Sequence, residues 1–374
     1  MPDEMRKKVH HYIRTMKGIV MDVQPDFERL KKTMRHVEPD RLPLIEVLVA
    51  YEIQSQFLER KVKDSDLKSQ VEFWVKGGYD AIPLTVGMMS PGEVTKASSI
   101  YRVVQKTLRK EEDEVVPWNI EENGVISNPE DFDRFPWEEA AKLDFSKFYD
   151  IQPFLPQGMK VLACSGKVFT VTWMLMGFQN FCLSLYMQEE LVSKVFHKVG
   201  EIQLQGAKEL SKIPNIGALW LVDDLSYGSG PLIDPKFFRK YVFPWYEEVG
   251  ALAKKQGLLF FFHSDGNIWP IMDDLVSIRF DAIHPIDPTS MDIREVKRKV
   301  GKKLGIMGNI HTDLLSRGTP EEVREITKKA IRDIAPGGGY ALGSGNSVPN
   351  WVRFENYQAM RETVLTYGTY PIKI

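Results

Sequence analysis

The sequence predicts an α/β fold, a (β/α)8 TIM barrel, from two observations. From Leu42 onward, short β-rich runs alternate with long helical patterns, which is typical of a parallel sheet covered by helices. Eight such runs occur, and eight is the number of strands in this barrel. The runs are LPLIEVLV (42–49), YDAIPLTV (79–86), KVLACSG (160–166), GALWLVDD (217–224), LLFFFHSD (258–265), DAIHPIDP (281–288), KLGIMGN (303–309) and GYALGSG (339–345).

The chain length leaves room for additions to a single barrel domain over residues 1–374. Of 374 residues, 43% are hydrophobic, which is ample for a large core. We predict an N-terminal helical extension over residues 1–41 and a long insertion after strand two, over 87–158. A hairpin is expected around Glu122-Asn123-Gly124. The insertion fits a rim or lid over the barrel mouth and a passive decoration about equally well.

Local signals define two of the helices between the strands. Residues 235–256 begin with Pro235 after Asp234, an N-cap with proline at the first helical position. Pro244 should kink or split that helix. Residues 319–334 begin with Thr319 and Pro320 and carry Glu322 at the capping-box position.

The composition excludes several classes of protein. Lysine plus arginine (49) nearly balance aspartate plus glutamate (51), so no overall field recruits nucleic acid or an anionic membrane. The charged N-terminus does not resemble a signal peptide, and no apolar run approaches the ~18 residues of a membrane span. Two cysteines, Cys164 and Cys182, cannot form a disulfide framework or a four-thiolate metal site. We therefore expect a protein of the reducing cytoplasm.

Polar side chains collect where the predicted strands end. The carboxyl ends of barrel strands share one mouth, and active sites of this fold lie there. Strands four to eight end in Asp223-Asp224, His263-Ser264-Asp265, His284, Asn309 with His311, and Ser344 with Asn346.

His263 and Asp265 should point the same way, because side chains alternate along a strand. The pair could bind one divalent metal ion, with a further ligand such as Asp223 from the neighbouring strand. An acid–base pair, in which Asp265 fixes the tautomer of His263, is the second interpretation. A purely structural one is that His263 ends a core network and Asp265 accepts hydrogen bonds within a turn.

Asp223 and Asp224 follow a buried strand, where a carboxylate pair is costly unless it is paired, hydrated or functional. One of the two must face the mouth, because side chains alternate along a strand. The structural alternative is an aspartate that caps a helix or forms a turn. Apolar side chains such as Trp173 and Tyr227 could line a substrate pocket or simply fill the core. The glycine-rich segment 336–347 matches no phosphate-binding pattern, and its glycines could equally serve a tight turn.

The ordered motifs resemble the uroporphyrinogen decarboxylase superfamily over nearly the whole chain. They are FERLKKTMRHVEPDRLPLIE (27–46), VDDLSYGSGPLIDPKFFRKYVFPWY (222–246), FFHSDGNIWPIMDDL (261–275), FDAIHPIDP (280–288), LGIMGNIHTDLLSRGTPEEV (304–323), SGNSVPNWVRFENYQAM (344–360) and YGTYPI (367–372). The resemblance implies a (β/α)8 barrel with its active site at the carboxyl ends of the strands.

The chain departs from true decarboxylases of that superfamily. Their arginine-rich N-terminal segment is replaced by EVLVAYE (46–52), and strand two ends without their aspartate, in Thr85-Val86-Gly87. Trp173 stands at the expected tyrosine, and Ser344 replaces the histidine of the LGHG motif. These differences make decarboxylation the alternative function rather than the leading one. A non-catalytic barrel that binds a tetrapyrrole is a further alternative.

The other branch of the superfamily that the chain resembles comprises corrinoid-dependent methyltransferases. Its thiol-activating members carry an HxCG motif and, much later in the chain, a cysteine in a GCG motif, and these residues bind zinc together. Here His263 matches, while Asp265 and Ser344 replace the cysteines. An oxygen- and nitrogen-donor site, with zinc as one candidate metal, suits an ether or alcohol oxygen better than a thiol.

The resemblance thus implies transfer of a methyl group between a small methylated substrate, such as an aryl methyl ether (O-demethylation), and a corrinoid (cobalamin) on a separate protein. A homodimer is left open. The expected catalytic residues are His263, Asp265, Asp223 and Asp224, with His263 and Asp265 as metal ligands. The residues expected to bind substrate are Tyr227, Asn309, His311, Ser344, Asn346 and Trp173.

Overall fold

A curved parallel sheet forms the centre of the computed structural model, which describes residues 24–86 and 124–374. The strands are β1 Ala81–Thr85, β2 Lys160–Ser165, β3 Ile216–Val222, β4 Ser226–Tyr227, β5 Gly230–Pro231, β6 Leu259–His263, β7 Ala282–His284, β8 Gly305–Met307 and β9 Tyr340–Ala341. Seven of them pair in parallel in the order β1-β2-β3-β6-β7-β8-β9, while β4 and β5 form a separate antiparallel hairpin.

Helices alternate with these strands and cover the sheet. They are α1 Phe27–Met34, α2 Tyr51–Phe57, α3 Leu67–Lys76, α4 Pro129–Arg134, α5 Trp137–Ala140, α6 Ser146–Asp150, α7 Val168–Met176, α8 Phe178–Met187, α9 Glu189–Leu210, α10 Pro235–Tyr241, α11 Phe243–Lys255, α12 Met272–Ile278, α13 Ile293–Val300, α14 Thr312–Arg317, α15 Pro320–Ile334 and α16 Phe354–Tyr367.

The first predicted strand, residues 42–49, pairs with the end of the chain through single parallel bridges. Leu44 pairs with Leu342, and Val49 pairs with Val348. Around the first bridge the Leu342 N–H donates to the Pro43 carbonyl (2.9 Å), and the Leu342 carbonyl accepts from the Ile45 N–H (3.0 Å). The segment extends the sheet beyond β9, and the predicted (β/α)8 type of fold is confirmed.

Inward-facing side chains fill the barrel, and α1 closes its amino end. Phe27, Leu30 and Met34 of α1 pack with the inward residues of the strands. A Cβ on Gly217 would lie 2.5 Å from the Phe27 ring, and one on Gly305 would lie 2.6 Å from the Met34 sulfur, so both positions need glycine. The inward residues are Ile45, Val47, Ala81, Leu162, Cys164, Ala218, Trp220, Val222, Leu259, Phe261, Ala282, Met307 and Ala341. Because α1 packs against the starts of β3 and β8, the carboxyl end remains as the mouth.

The local helix signals are confirmed. The predicted helix over 235–256 is split into α10 and α11 at Val242, with Pro244 in the first turn of α11. The Asp234 side chain caps α10 by accepting from the Lys236 N–H. Thr319 and Glu322 form a reciprocal capping box at the start of α15.

Parts of the predicted additions lie outside the described residues. These are residues 1–23 of the N-terminal extension, residues 87–123 of the insertion, and Glu122 and Asn123 of the predicted hairpin. The rest of the insertion carries α4, α5 and α6. No described helix has by itself the length and apolarity to cross a membrane; α7 and α8, which are bent by 95° relative to each other, reach that length and apolarity only as a pair.

Candidate metal centre at the barrel mouth

The candidate site lies where three neighbouring strands end. His263 is the last residue of β6, and in the sheet it stands between Val222 of β3 and His284 of β7. Phe261 lies in the barrel interior, so alternation turns His263 inward as well. Asp224 and Asp265 follow β3 and β6 by two residues each. The three functional side chains therefore meet at the mouth.

The cluster consists of His263, Asp224 and Asp265. The His263 Nε2 atom lies 3.6 Å from Asp224 Oδ1 and 3.8 Å from Asp265 Oδ1. One ligand atom of each residue lies within 4.8 Å of the others, a spacing that could hold a metal ion. The His263 side chain is only 6% exposed, whereas those of Asp224 and Asp265 are 46% and 38% exposed. The histidine thus forms the floor of a site that the carboxylates open to the mouth.

Hydrogen bonds fix both carboxylates. Asp224 Oδ1 accepts from the Asp265 N–H (3.1 Å), and Asp265 Oδ2 accepts from the Asn346 side-chain amide (2.5 Å). The next residue, Gly266, donates its N–H to Asp287 (3.2 Å). The loops after β3, β6, β7 and β9 are therefore tied together around the cluster.

The electrostatics of the cluster favour a cation. Burial, with the nearby carboxylates of Asp224 and Asp287, raises the pKa of Asp265 to about 8. Burial lowers the pKa of His263, which stays neutral, although Asp224 acts in the opposite direction. Lys167, at the start of α7, favours the ionised form of Asp265 and disfavours the charged form of His263. A metal ion would stabilise two ionised carboxylates beside a neutral imidazole.

The donor set fits a divalent metal ion of the zinc type. One imidazole nitrogen and two carboxylates are common zinc ligands, and three protein ligands with an open position are typical of catalytic sites. The thiols contribute nothing to this cluster: Cys164 is buried in the barrel interior, where burial raises its pKa to about 12, and Cys182 is half-buried on α8. Ser344 stands where the methyltransferases that the sequence resembles have their late cysteine, and its hydroxyl donates a hydrogen bond to Glu46.

Asp223 lies apart from the cluster. Its carboxylate accepts hydrogen bonds from the backbone N–H groups of Phe169 (2.7 Å) and Thr170 (2.8 Å) at the start of α7, and from the Tyr246 hydroxyl (2.8 Å). The strand alternation that turns Val222 and Asp224 inward turns Asp223 toward the helices. The structure therefore brings Asp224, rather than Asp223, to His263 and Asp265.

Of the residues predicted to bind substrate, Asn346 contacts the cluster directly, through Asp265. Tyr227 is 73% exposed, and its carbonyl accepts from the Asn267 N–H in the loop after β6. Asn309 donates to the Ile286 carbonyl (3.0 Å).

The other predicted substrate residues have structural contacts. His311 caps α14 through its Nδ1, which accepts from the Asp313 N–H (2.9 Å). Trp173 packs edge-on against Phe178, with ring centroids 5.5 Å apart. Ser344 is fully buried against Glu46.

The site includes residues that the sequence reasoning did not assign to it. His284 lies behind His263, with a distance of 2.7 Å between their Nδ1 atoms. Its position at the end of β7 was the available signal. Glu46 is fully buried against the Ser344 N–H and hydroxyl, and a lone glutamate inside the apolar run 42–49 was its signal. Lys167 is the third of these residues, and it directly follows Gly166, the last residue of the third predicted strand.

Comparisons with known proteins agree with this fold. The family model described as uroporphyrinogen decarboxylase (URO-D) matches residues 123–367. A uroporphyrinogen decarboxylase from Pseudoalteromonas translucida is 25% identical over 202 residues, 49% of this chain and 56% of that protein, so the chain spans little more than half of this relative's length.

Two solved structures are similar in shape. A methyltransferase from Methanosarcina mazei has a TM-score of 0.64 at 14% sequence identity, covering 91% of this chain and 98% of that one. A sugar phosphate isomerase/epimerase from Parabacteroides distasonis has a TM-score of only 0.40 at 12% identity, covering 90% of this chain and 100% of that one. The first similarity supports the barrel fold. Because the family model covers more than half of the sequence, the chain belongs to the uroporphyrinogen decarboxylase family.

Proposed function

We propose that this chain is a methyltransferase that moves a methyl group from a small methylated substrate, such as an aryl methyl ether, to the corrinoid cobalt of a separate protein. The observation that carries the proposal is the cluster of His263, Asp224 and Asp265 in the barrel mouth. The thiol-activating methyltransferases that the sequence resembles carry cysteines in this motif. The cluster of this chain offers oxygen and nitrogen donors instead. Such donors suit activation of an oxygen atom.

Methyl transfer from an ether breaks the bond between the methyl carbon and oxygen, and the bonding electrons stay on oxygen. The reduced corrinoid supplies the electron pair for the new carbon–cobalt bond. A divalent metal ion at the cluster would supply Lewis acidity to the leaving oxygen. Without it, protonated Asp265, whose pKa is raised to about 8, would donate the proton that the leaving oxygen needs.

The remaining residues of the site orient these groups. The Asn346 amide holds Asp265 Oδ2, which leaves Oδ1 toward His263 and the mouth. The Asp265 N–H in turn holds Asp224 Oδ1. A preorganised set of this kind stabilises developing charge without rearrangement during the reaction.

Decarboxylation of a porphyrinogen is the second candidate, favoured by the match to the family model and to the Pseudoalteromonas enzyme. The mouth argues against it. Asp224 and Asp287 raise the pKa of Asp265 there, and their carboxylates would repel a substrate that carries eight carboxylates. The arginine-rich segment of true decarboxylases is also replaced, by EVLVAYE.

The test mixes the protein with free reduced cobalamin, as a substitute for the corrinoid protein, and a panel of methyl donors that includes aryl methyl ethers. We expect the absorption spectrum of methylcobalamin to appear with wild type and to be lost with His263→Ala. No spectral change across the panel would contradict the proposal. Coproporphyrinogen formed from uroporphyrinogen by the same preparation would favour decarboxylation, and unchanged methyl transfer by His263→Ala would rule out the proposed site.

A further inference from the structure

His284 lies directly behind the histidine of the cluster. Both side chains are buried, His284 completely, and their rings meet edge to edge, with centroids 5.0 Å apart and planes 27° from parallel. Their Nδ1 atoms are 2.7 Å apart, which is hydrogen-bond distance. His263 is thus contacted by the carboxylates at Nε2 and by a second imidazole at Nδ1.

This contact holds one proton. Two N–H groups facing each other at that distance would repel, and two bare nitrogens would make no bond, so one ring donates and the other accepts. If His284 donates, His263 carries its own proton on Nε2, which points at the cluster. If His263 donates from Nδ1, its Nε2 lone pair is free toward Asp224 and Asp265.

The surroundings of His284 accommodate the second arrangement. It requires the His284 proton on Nε2, and none of the described residues donates a hydrogen bond that would hold that nitrogen unprotonated. The His284 ring stands perpendicular to the Trp220 ring, with centroids 5.2 Å apart. A perpendicular aromatic pair permits a weak N–H contact to a ring face.

We propose that His284 is a positioning residue that holds His263 in its Nδ1–H tautomer and so presents the Nε2 lone pair to the cluster. His284 touches neither of the two carboxylates in the described contacts and acts through His263 alone. The inference rests on the metal-binding role of the cluster in the proposed function. It assigns to His284 the tautomer-fixing task that the sequence suggested for Asp265.

Two variants of His284 test the assignment. His284→Asn keeps an acceptor atom at the position of Nδ1, whereas His284→Leu has similar bulk and no acceptor. With Zn²⁺ alone, titrated against a competing chelator, we expect His284→Leu to bind about 10–100-fold more weakly than wild type and His284→Asn to bind within about threefold of it. Wild-type affinity in His284→Leu would overturn the inference.

A second measurement needs neither metal nor activity. In protein labelled with ¹⁵N-histidine, long-range ¹⁵N–¹H correlation spectra report the tautomer of each ring, and His263→Gln identifies the signal of His263. We expect Nδ1–H in wild type and in His284→Asn, and Nε2–H in His284→Leu. An Nε2–H tautomer in wild type would overturn the inference even if His284→Leu did not fold. Loss of methyl transfer with the expected tautomers would instead refute only the proposed function.

Discussion

Asp223 and Asp224 are neighbours in the chain, but their carboxylates lie on opposite faces of the barrel wall. Asp224 reaches the mouth, 3.6 Å from His263 Nε2, while Asp223 is fully buried against the helices. The two residues therefore differ in what they can do. A substitution at Asp224 should act on ligand binding, and the same substitution at Asp223 should act on stability.

Asp224→Asn and Asp265→Asn should each lower Zn²⁺ affinity by about 100-fold or more, because removing a ligand costs at least as much as removing its supporting contacts. The measurement is chelator competition with Zn²⁺ alone. Asp273→Asn is the matched control, since Asp273 is exposed on α12. Affinity within a factor of two of wild type in both cluster variants would show that these carboxylates bind no metal.

The sequence indicates part of this cluster and misses the rest for a definite reason. Spacing within one strand places His263 and Asp265 together, and alternation requires that one of Asp223 and Asp224 face inward. Which one faces inward depends on the register between β3 and β6, which pairs Val222 with His263. The His263–His284 contact likewise depends on the register between β6 and β7. Such registers are set by tertiary packing, and no local pattern reports them.

At the scale of elements, Asp223 joins a strand to two helices. Its carboxylate receives two N–H groups from the first turn of α7, where a helix leaves its N–H groups without partners. The third bond comes from Tyr246 of α11. The start of α7, which carries Lys167 to the mouth, is therefore anchored to the end of β3.

Asp223→Asn should lower the free energy of unfolding by about 2–4 kcal/mol, because one buried N–H of α7 loses its acceptor and faces an amide donor. Urea unfolding followed by circular dichroism measures the change. Tyr246→Phe removes one hydrogen bond only and should cost about 1 kcal/mol. We expect Zn²⁺ affinity to stay near that of wild type in Asp223→Asn; an equally stable Asp223→Asn protein would contradict the anchoring role.

Element boundaries follow local chemistry where they are predicted well. Pro244 lacks an N–H and splits one helix, and the capping box of Thr319 and Glu322 starts another. The segment 42–49 was harder to predict, because its β-rich composition does not reveal that it pairs only through single bridges. Pairing between the two ends of a chain is a long-range property.

For the whole molecule, Glu46 links the first barrel segment, residues 42–49, to the loop after β9. It follows Ile45, whose side chain faces the interior, so it turns outward between the sheet and the helices. It accepts from the Ser344 N–H (2.8 Å) and from the Ser344 hydroxyl. Two residues further on, Asn346 holds Asp265. Closure of the barrel is thereby coupled to the geometry of the candidate site.

Glu46 should also make stability depend on pH. Burial raises its pKa from the ordinary 4.5 to about 8, although the bonds from Ser344 act in the opposite direction. Between these two values the unfolded chain releases this proton while the folded protein keeps it. The folded state then binds more protons, so its stability falls as pH rises through this window and levels off above about 8.

Glu46→Gln tests this linkage, because glutamine resembles the protonated acid, accepts from the Ser344 N–H and cannot ionise. The variant should gain stability relative to wild type as pH rises from 5 to 8, by a few kcal/mol in total, since one pKa unit corresponds to about 1.4 kcal/mol. Urea unfolding of both proteins at several pH values gives the difference, in which the contributions of other groups cancel. A constant difference across that range would mean that Glu46 is ionised in the folded barrel. A charge-assisted hydrogen bond from Ser344 to the Glu46 carboxylate would then join the two segments.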